Sequence, residues 1–206
     1  MDRLCHLLTL LLASSICNSL LADEPVKPAA DAKGDKVEQA VAEEKEEQPP
    51  QEIKVAEGRL MLLVPGDWKK VEPRSRLVEV EFSIPEVEEG VGPGRMTIMA
   101  SGGTVKANLE RWIGQFRTAD GKGLEEVEPA EHEVSGLKVT TLDLSGTYRD
   151  MPRGPFGPAM ELPDHRMIGA IIQTDGEGTY YVTLYGPAAT IEKVAEPFME
   201  MIKGIE

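Results

Sequence analysis

Cysteine is nearly absent from this 206-residue sequence, and its two cysteines, Cys5 and Cys17, both lie near the N-terminus. The chain beyond them contains no thiol, which excludes a disulfide, a thiolate metal site and a cysteine nucleophile there. The sequence also lacks an apolar run of the roughly 20 residues that a membrane-spanning helix needs. We therefore expect no transmembrane segment and a fold that is stabilised by an ordinary packed core.

Positive charge is scarce as well. The chain carries 22 Lys and Arg against 36 Asp and Glu, a formal net charge of -14. It shows no basic stripe, so we expect it to bind neither nucleic acid nor anionic lipid surfaces. The sequence contains no G-x-S-x-G and no H-E-x-x-H motif, so no established catalytic pattern points to an enzyme.

The first residues have the pattern of an export signal. Arg3 precedes an apolar run from Leu7 to Ala13, and small residues follow before Ala22. This pattern predicts a signal peptide over residues 1–22 and an exported protein, periplasmic or secreted. The alternative is a lipoprotein acylated at Cys17, which the branched Ile16 immediately before it disfavours.

A change in composition divides the remaining chain into two parts. Residues 23–57 are rich in Ala, Pro, Glu, Lys and Gln and contain no aromatic residue, so they predict a disordered acidic linker. Residues 58–206 have the length of one domain. We expect a single folded domain there.

Apolar periodicity predicts strands in this domain. Between residues 78 and 84, four apolar residues alternate with Glu79, Glu81 and Ser83, which predicts a strand with one polar face. Residues 59–65 and 166–172 are apolar nearly throughout, as strands buried on both faces are. Further strands begin at Arg95, Gly136 and Gly178, with a hairpin turn at residues 174–178. The apolar phase shifts along the Gly136 strand, which either a bulge near Thr140 or burial of both faces would explain.

Two amphipathic helices are predicted to cover the sheet. The first follows Thr104 as N-cap and continues its apolar stripe to Phe116. The second spans about residues 190–203, with a kink or break expected at Pro197. Together these elements predict an α+β fold in which an antiparallel sheet is covered by helices.

Three segments resemble a PsbP-like domain: VPGDW at 64–68, NLERWIGQF at 108–116, and the hairpin and helix of residues 180–205. The resemblance implies an α/β/α sandwich. Extrinsic subunits of the plant oxygen-evolving complex, a nuclear import factor that binds the GTPase Ran, and exported bacterial proteins share this fold. It implies a non-catalytic domain that binds or assembles something, although fold alone does not assign function. We expect no cofactor.

The two histidines beyond the signal, His132 and His165, are the main candidates for a site of chemistry. Neither lies in a metal-ligand spacing, and zinc requires three or four convergent ligands. We expect them at the surface or at strand edges, with no metal bound. Ser101–Gly103 could form an anion-binding turn at the start of the first helix, but it is typical of an ordinary strand-to-helix turn.

The segment from Arg149 to Asp164 is predicted as a long Pro- and Gly-rich loop, and such loops often carry function. Its apolar and basic residues, with the adjacent histidine, form the candidate contact surface for a partner: Arg149, Met151, Arg153, Phe156, Met160 and His165. The alternative is that its apolar residues fold back over core residues such as Tyr148.

Three functions remain open at this point. The leading hypothesis is an exported, non-catalytic binding or assembly module with a protein partner in the periplasm or cell envelope. The second is a carrier of a small apolar or amphipathic ligand, with a cavity lined by Trp112, Met99 or Phe156. The third is a hydrolase, which requires a base and a nucleophile in mutual contact.

Overall fold

A computed structural model describes residues 48–151, 157–174 and 178–206 of the protein. These residues form ten strands and two α-helices. The strands are β1 (Gln51–Val55), β2 (Leu60–Val64), β3 (Lys69–Val71), β4 (Val80–Ile84), β5 (Gly94–Ser101), β6 (Phe116–Arg117), β7 (Ala130–Val134), β8 (Leu137–Asp150), β9 (Met160–Thr174) and β10 (Gly178–Pro187). The helices are α1 (Val105–Ile113) and α2 (Ala188–Lys203). The predicted signal peptide lies outside the described residues.

All strand pairs are antiparallel, as the sequence predicts. Eight strands form one sheet in the order β3-β4-β5-β10-β9-β8-β6, with β7 also paired to β8. Strands β1 and β2 form a separate two-stranded sheet. The hairpin between β9 and β10 is confirmed, because Thr174 pairs with Gly178.

Two apolar clusters use alternate residues of the central strands. In β9, Ile168, Ala170 and Ile172 join the cluster that contains α2, whereas Met167 and Ile171 join the cluster that contains α1. Since successive side chains of a strand point to opposite faces, the two clusters lie on opposite faces of the sheet. Burial of residues 167–172 on both faces is therefore confirmed.

Burial on both faces also explains why the apolar residues of β8 change from one face of the strand to the other along its length. The pairing of β8 with β9 is continuous from Lys138 to Gly146, and it is irregular only between Gly146 and Tyr148. No bulge occurs at Thr140. Val139 belongs to the α2 cluster and Leu142 to the α1 cluster, so burial of both faces explains the shift.

The start of the domain was predicted too late. Residues 51–55 fall in the predicted disordered linker, but they form β1 and pair with β2 in the register Val55↔Leu60. The side chains of Ile53 and Val55 are buried in the core, which offsets the entropy of ordering the segment. Strand β2 itself was expected to be buried on both faces, and this is wrong because Leu63 is 48% exposed.

The helices begin where the sequence predicts. The Thr104 hydroxyl accepts a hydrogen bond from the Ala107 amide at 3.1 Å and caps α1. Helix α1 ends at Ile113, so Phe116 lies in β6 and not on the helical stripe. Helix α2 continues through Pro197, so of the predicted kink or break the break does not occur. No described helix is long and apolar enough to cross a membrane.

Pro197→Ala is expected to stabilise the protein by about 2 kcal/mol. Proline in a helix interior costs about 3 kcal/mol, because it removes an amide donor and crowds the preceding turn. Proline also restricts the unfolded chain, and the alanine variant loses this effect, which reduces the stabilisation by about 0.4–1 kcal/mol. Urea denaturation measures the change. A lower stability than wild type would show that packing of the Pro197 ring outweighs the missing hydrogen bond.

Candidate functional site

Both ends of the predicted long loop belong to strands. Arg149 pairs with Glu161 and Asp150 pairs with Met160, so strands β8 and β9 extend into it and leave residues 151–159 as the connection. We call residues 147–151 and 157–164 the hairpin arm. Pro163 and Asp164 belong to β9 but lie at the irregular step of this pairing, between the Gly146–His165 and Tyr148–Leu162 pairs. The prediction of a loop from Arg149 to Asp164 is therefore wrong at both ends.

Contacts with the segment after α1 hold the arm in place. The Arg149 amide donates to the Gln115 carbonyl at 2.8 Å, and Phe116 pairs with Tyr148. Gly146 has φ 147°, and a Cβ added to it would lie 2.4 Å from the Arg117 carbonyl oxygen. Glycine is required here because the backbone of β6 approaches so closely. The arm therefore leaves the sheet in one defined direction.

The candidate contact residues that the structure describes lie on this arm or directly after it. Met160 is 51% exposed, Met151 and Arg149 are partly buried, and the ring Nδ1 of His165 lies 2.8 Å from the Pro163 carbonyl oxygen. Arg149 lines a small cavity with Arg117, away from His165. Arg153 and Phe156 lie outside the described residues. The sequence thus predicts the region, but its residues do not form one cluster.

A polar cavity of about 350 Å³ lies at the base of the arm. Asp150 and Leu162 line it from the arm, His165 from β9 directly after the arm, and Pro187 from the end of β10. Opposite them lie Glu81, Arg95 and Tyr185, which the sequence analysis did not select as site residues. We call this space the Arg95 cavity.

An ion pair forms the floor of the Arg95 cavity. Arg95 donates from Nε to Glu81 Oε1 at 2.6 Å and from Nη2 to Glu81 Oε2 at 2.8 Å, and its Nη1 donates to the Tyr185 hydroxyl. The guanidinium also lies over the Tyr185 ring, 5.4 Å from its centroid. Glu81 is 1% exposed, although its place in β4 predicted a polar face. The main-chain amide of Arg74 donates to Glu81 at 2.9 Å.

These contacts keep both groups charged. Hydrogen bonds from Arg95 hold the pKa of Glu81 below its usual value, against the opposing effect of burial. Burial lowers the pKa of Arg95, but hydrogen bonds to Glu81 and Tyr185 outweigh this and raise it. Neither group exchanges protons near neutral pH. The pair is suited to binding through fixed charge and hydrogen bonds, and unsuited to acid–base catalysis.

Aromatic contacts connect the Arg95 cavity to the arm. The Tyr148 ring lies 5.2 Å from that of Phe116 and 5.6 Å from that of Tyr185, between centroids. Burial raises the pKa of Tyr148. Tyr148 thus packs against Phe116 and Tyr185. The alternative that Phe156 covers it concerns a residue outside the described part of the chain.

The histidines lie apart. His132 Nε2 is 2.9 Å from the Thr141 hydroxyl, whereas His165 lines the Arg95 cavity. Within the described residues, no group of three potential metal ligands occurs and no carboxylate is hydrogen-bonded to the His132 ring. A Ser-x-x-Lys spacing at Ser135 and Lys138, which the sequence analysis missed, is structural, since the Ser135 hydroxyl donates to the Ile205 carbonyl at 2.6 Å.

The predicted ligand cavity at Trp112 is filled. Trp112 is 5% exposed, and its ring lies against Gly169, where an added Cβ would be 2.5 Å away. Its partner Tyr181 contacts it edge-on at 5.9 Å. At the Ser101–Gly103 turn, the Asn108 side chain donates to the Gly102 carbonyl at 3.2 Å, and the Thr104 hydroxyl accepts from the Ala107 amide. These contacts are those of an ordinary strand-to-helix turn.

The chain matches no family model and no curated protein. It is similar to the solution structure of cyanobacterial PsbP from Synechocystis, with TM-score 0.48 and 15% identity over 77% of this chain and 92% of that one. The predicted resemblance to PsbP-like proteins is confirmed.

Two further structures are similar at the same level. LpqN, involved in cell envelope biogenesis of Mycobacterium tuberculosis, has TM-score 0.45 and 11% identity over 76% of this chain and 90% of that one. The Ran-binding protein Mog1p of Saccharomyces cerevisiae has TM-score 0.43 and 12% identity, and the match covers 77% of this chain and 95% of that one. At these identities the similarity concerns the fold alone.

Proposed function

We propose that this protein is an exported, non-catalytic module of the periplasm or cell envelope that binds a protein partner through the hairpin arm. We also propose that α1 and α2 complete an α/β/α sandwich, which leaves the arm as its main projection. The observation that carries the proposal is the arm itself: a fixed hairpin that presents Met160, 51% exposed, next to the Arg95 cavity.

The anchoring of the arm favours recognition. The hydrogen bond from Arg149 to Gln115 and the close packing at Gly146 hold the strands before any partner arrives. A partner therefore binds a preformed surface, and little conformational entropy is lost on association. Exposed methionine is adaptable and is common at protein interfaces.

The Arg95 cavity adds specificity to this surface. Buried ion pairs contribute little to stability compared with apolar residues, so their placement beside a cavity favours a role in binding. The guanidinium of an arginine has five N–H donors. Three of those of Arg95 are used in the hydrogen bonds to Glu81 and Tyr185. We propose that the other two bind an acceptor group on the partner.

Site-specific photo-crosslinking in the native cell envelope tests the proposal. A photoreactive residue at Met160 is expected to give one discrete adduct with a second protein. The matched control is Leu77, an apolar residue that is 73% exposed and lies outside the arm. Met160→Glu should remove the complex, while Leu77→Glu should keep it.

Two outcomes would contradict this function. The first is a set of adducts that is the same from both positions, which would reflect collision of exposed apolar residues. The second is no adduct from Met160 although the variant is folded and exported. Retention of the protein in the cytoplasm would separately refute the predicted export.

A further inference from the structure

A second groove lies on the opposite face of the sheet from the Arg95 cavity. Its volume is about 390 Å³. Helix α2 forms one wall with Ala195 and Met199, strand β7 forms the other with Ala130 and His132, and Ile168 contributes to the floor. We call this space the α2 groove.

The α2 groove arises from the way the helix crosses the sheet. Helix α2 packs on β9, β10 and β2. Strand β7 pairs with β8 and so lies further out in the sheet than the strands under the helix. The strip between the helix and β7 remains open. Met199 and Ala195 are partly buried there, and they pack against the core from its edge. An apolar chain placed in the groove would complete this contact.

The rim of the α2 groove is acidic. Glu128, Asp143 and Glu196 line it, against one cation, Arg166. The Arg166 guanidinium is already bound by Asp143, with donor–acceptor distances of 2.9 and 2.7 Å, and lies 3.7 Å from Glu192. The rim is therefore net negative, in a chain with a formal net charge of -14. A positively charged head group is attracted and a carboxylate is repelled.

We propose that the α2 groove binds a small cationic amphiphile, an ammonium group carried on a short alkyl chain. The alkyl chain contacts Ile168, Ala195 and Met199, and the ammonium group lies at the rim near Glu196. This places the amphipathic-ligand site at the outer edge of α2 and not at Trp112. No residue of the hairpin arm lines this groove, so ligand binding here is tested separately from the proposed partner binding.

Octylammonium and octanoate are the matched probes, because they share a chain length and differ in charge. Isothermal titration calorimetry is expected to show saturable one-site binding of octylammonium, at least tenfold tighter than that of octanoate. Glu196→Lys should weaken octylammonium binding about tenfold, the effect of reversing one charge close to the head group in a partly screened site. Ala195→Trp, which fills the groove, should abolish it.

Glu200→Lys is the control variant. It lies on the same helix and makes the same change in net charge, but its side chain lines a different cavity. Its octylammonium affinity should equal that of wild type. Equal weakening by both variants would mean general surface attraction and would overturn the proposal. Binding of octanoate as tightly as octylammonium, or unchanged binding in a folded Ala195→Trp variant, would overturn it as well.

Discussion

Arg95→Met is expected to lower the free energy of unfolding by about 3–5 kcal/mol, the usual effect of leaving a buried charge without its partner. Glu81 is 1% exposed, and both of its carboxylate oxygens accept hydrogen bonds from Arg95. The Arg74 side chain, 3.4 Å from Glu81, is itself 77% exposed and compensates only in part. Urea denaturation at pH 7 measures the loss.

Arg166→Met is the matched control for this prediction. Arg166 makes the same paired contact with Asp143, and both arginine side chains are 21% exposed. The Asp143 side chain is 49% exposed, so water solvates it once the partner is gone. We expect a loss below about 1 kcal/mol. A loss as large as that of Arg95→Met would show that the burial of Glu81 is not the cause.

The double variant Glu81→Leu and Arg95→Met tests whether the unpaired Glu81 carboxylate causes the loss of stability. It removes both charges together, so no carboxylate is left buried and unpaired. Replacing a buried ion pair by apolar residues is often neutral. We expect most of the lost stability to return. A double variant no more stable than Arg95→Met alone would assign the loss to packing.

The ion pair also makes stability depend on pH. The folded-state pKa of Glu81 is held below its usual value of 4.5, chiefly by the hydrogen bonds from Arg95. Its contribution is therefore complete above about pH 4.5 and is lost as the pH falls through the folded-state pKa. Acid titration of wild type should show a loss of stability in this range that the double variant lacks. Parallel curves would contradict it.

Gly146→Ala is the second large effect, with an expected loss of about 3 kcal/mol. Its φ of 147° is unfavourable for a residue with a side chain, and the new Cβ would lie 2.4 Å from the Arg117 carbonyl oxygen. Backbone must shift to relieve this contact, and overpacking of this kind costs about 1–3 kcal/mol in addition to the conformational strain. Thermal and urea unfolding measure the change.

Gly136→Ala separates the two causes. Gly136 has φ 81°, but no atom lies within 4 Å of its added Cβ. It therefore carries conformational strain without the clash, and we expect a loss of about 1–2 kcal/mol. If both variants lose the same stability, contact with Arg117 contributes nothing. A folded Gly146→Ala protein should also lose the crosslink at Met160, because the arm then leaves the sheet differently.

The parts of this fold that were predicted correctly depend on neighbouring residues in the chain. The N-cap at Thr104 satisfies an amide three residues away, and the hairpin at Thr174 and Gly178 joins adjacent strands. Such contacts are encoded in short spacings, which a single sequence displays. The position of the candidate region near residues 149–165 was found in the same way, from its proline and glycine content.

The site itself depends on distant residues. Arg95 meets Glu81 from 14 positions away and Tyr185 from 90 positions away. The sequence does contain one possible signal, because β4 and β5 each carry a single charged residue, Glu81 and Arg95. However, the alternation in β4 places Glu81 equally well on a solvent-facing side of the strand. Only the pairing of β4, β5 and β10 brings the three side chains together.

Composition and short-range periodicity encode the antiparallel α+β class, the two helices, the acidic charge and the absence of thiols beyond residue 17, so these features can be predicted without a structure. The tertiary structure decided the rest. It turned the predicted loop into a hairpin arm, placed β1 in the fold, buried Glu81 and opened the α2 groove. These features depend on which strands become neighbours, and that choice is made by packing across the whole domain.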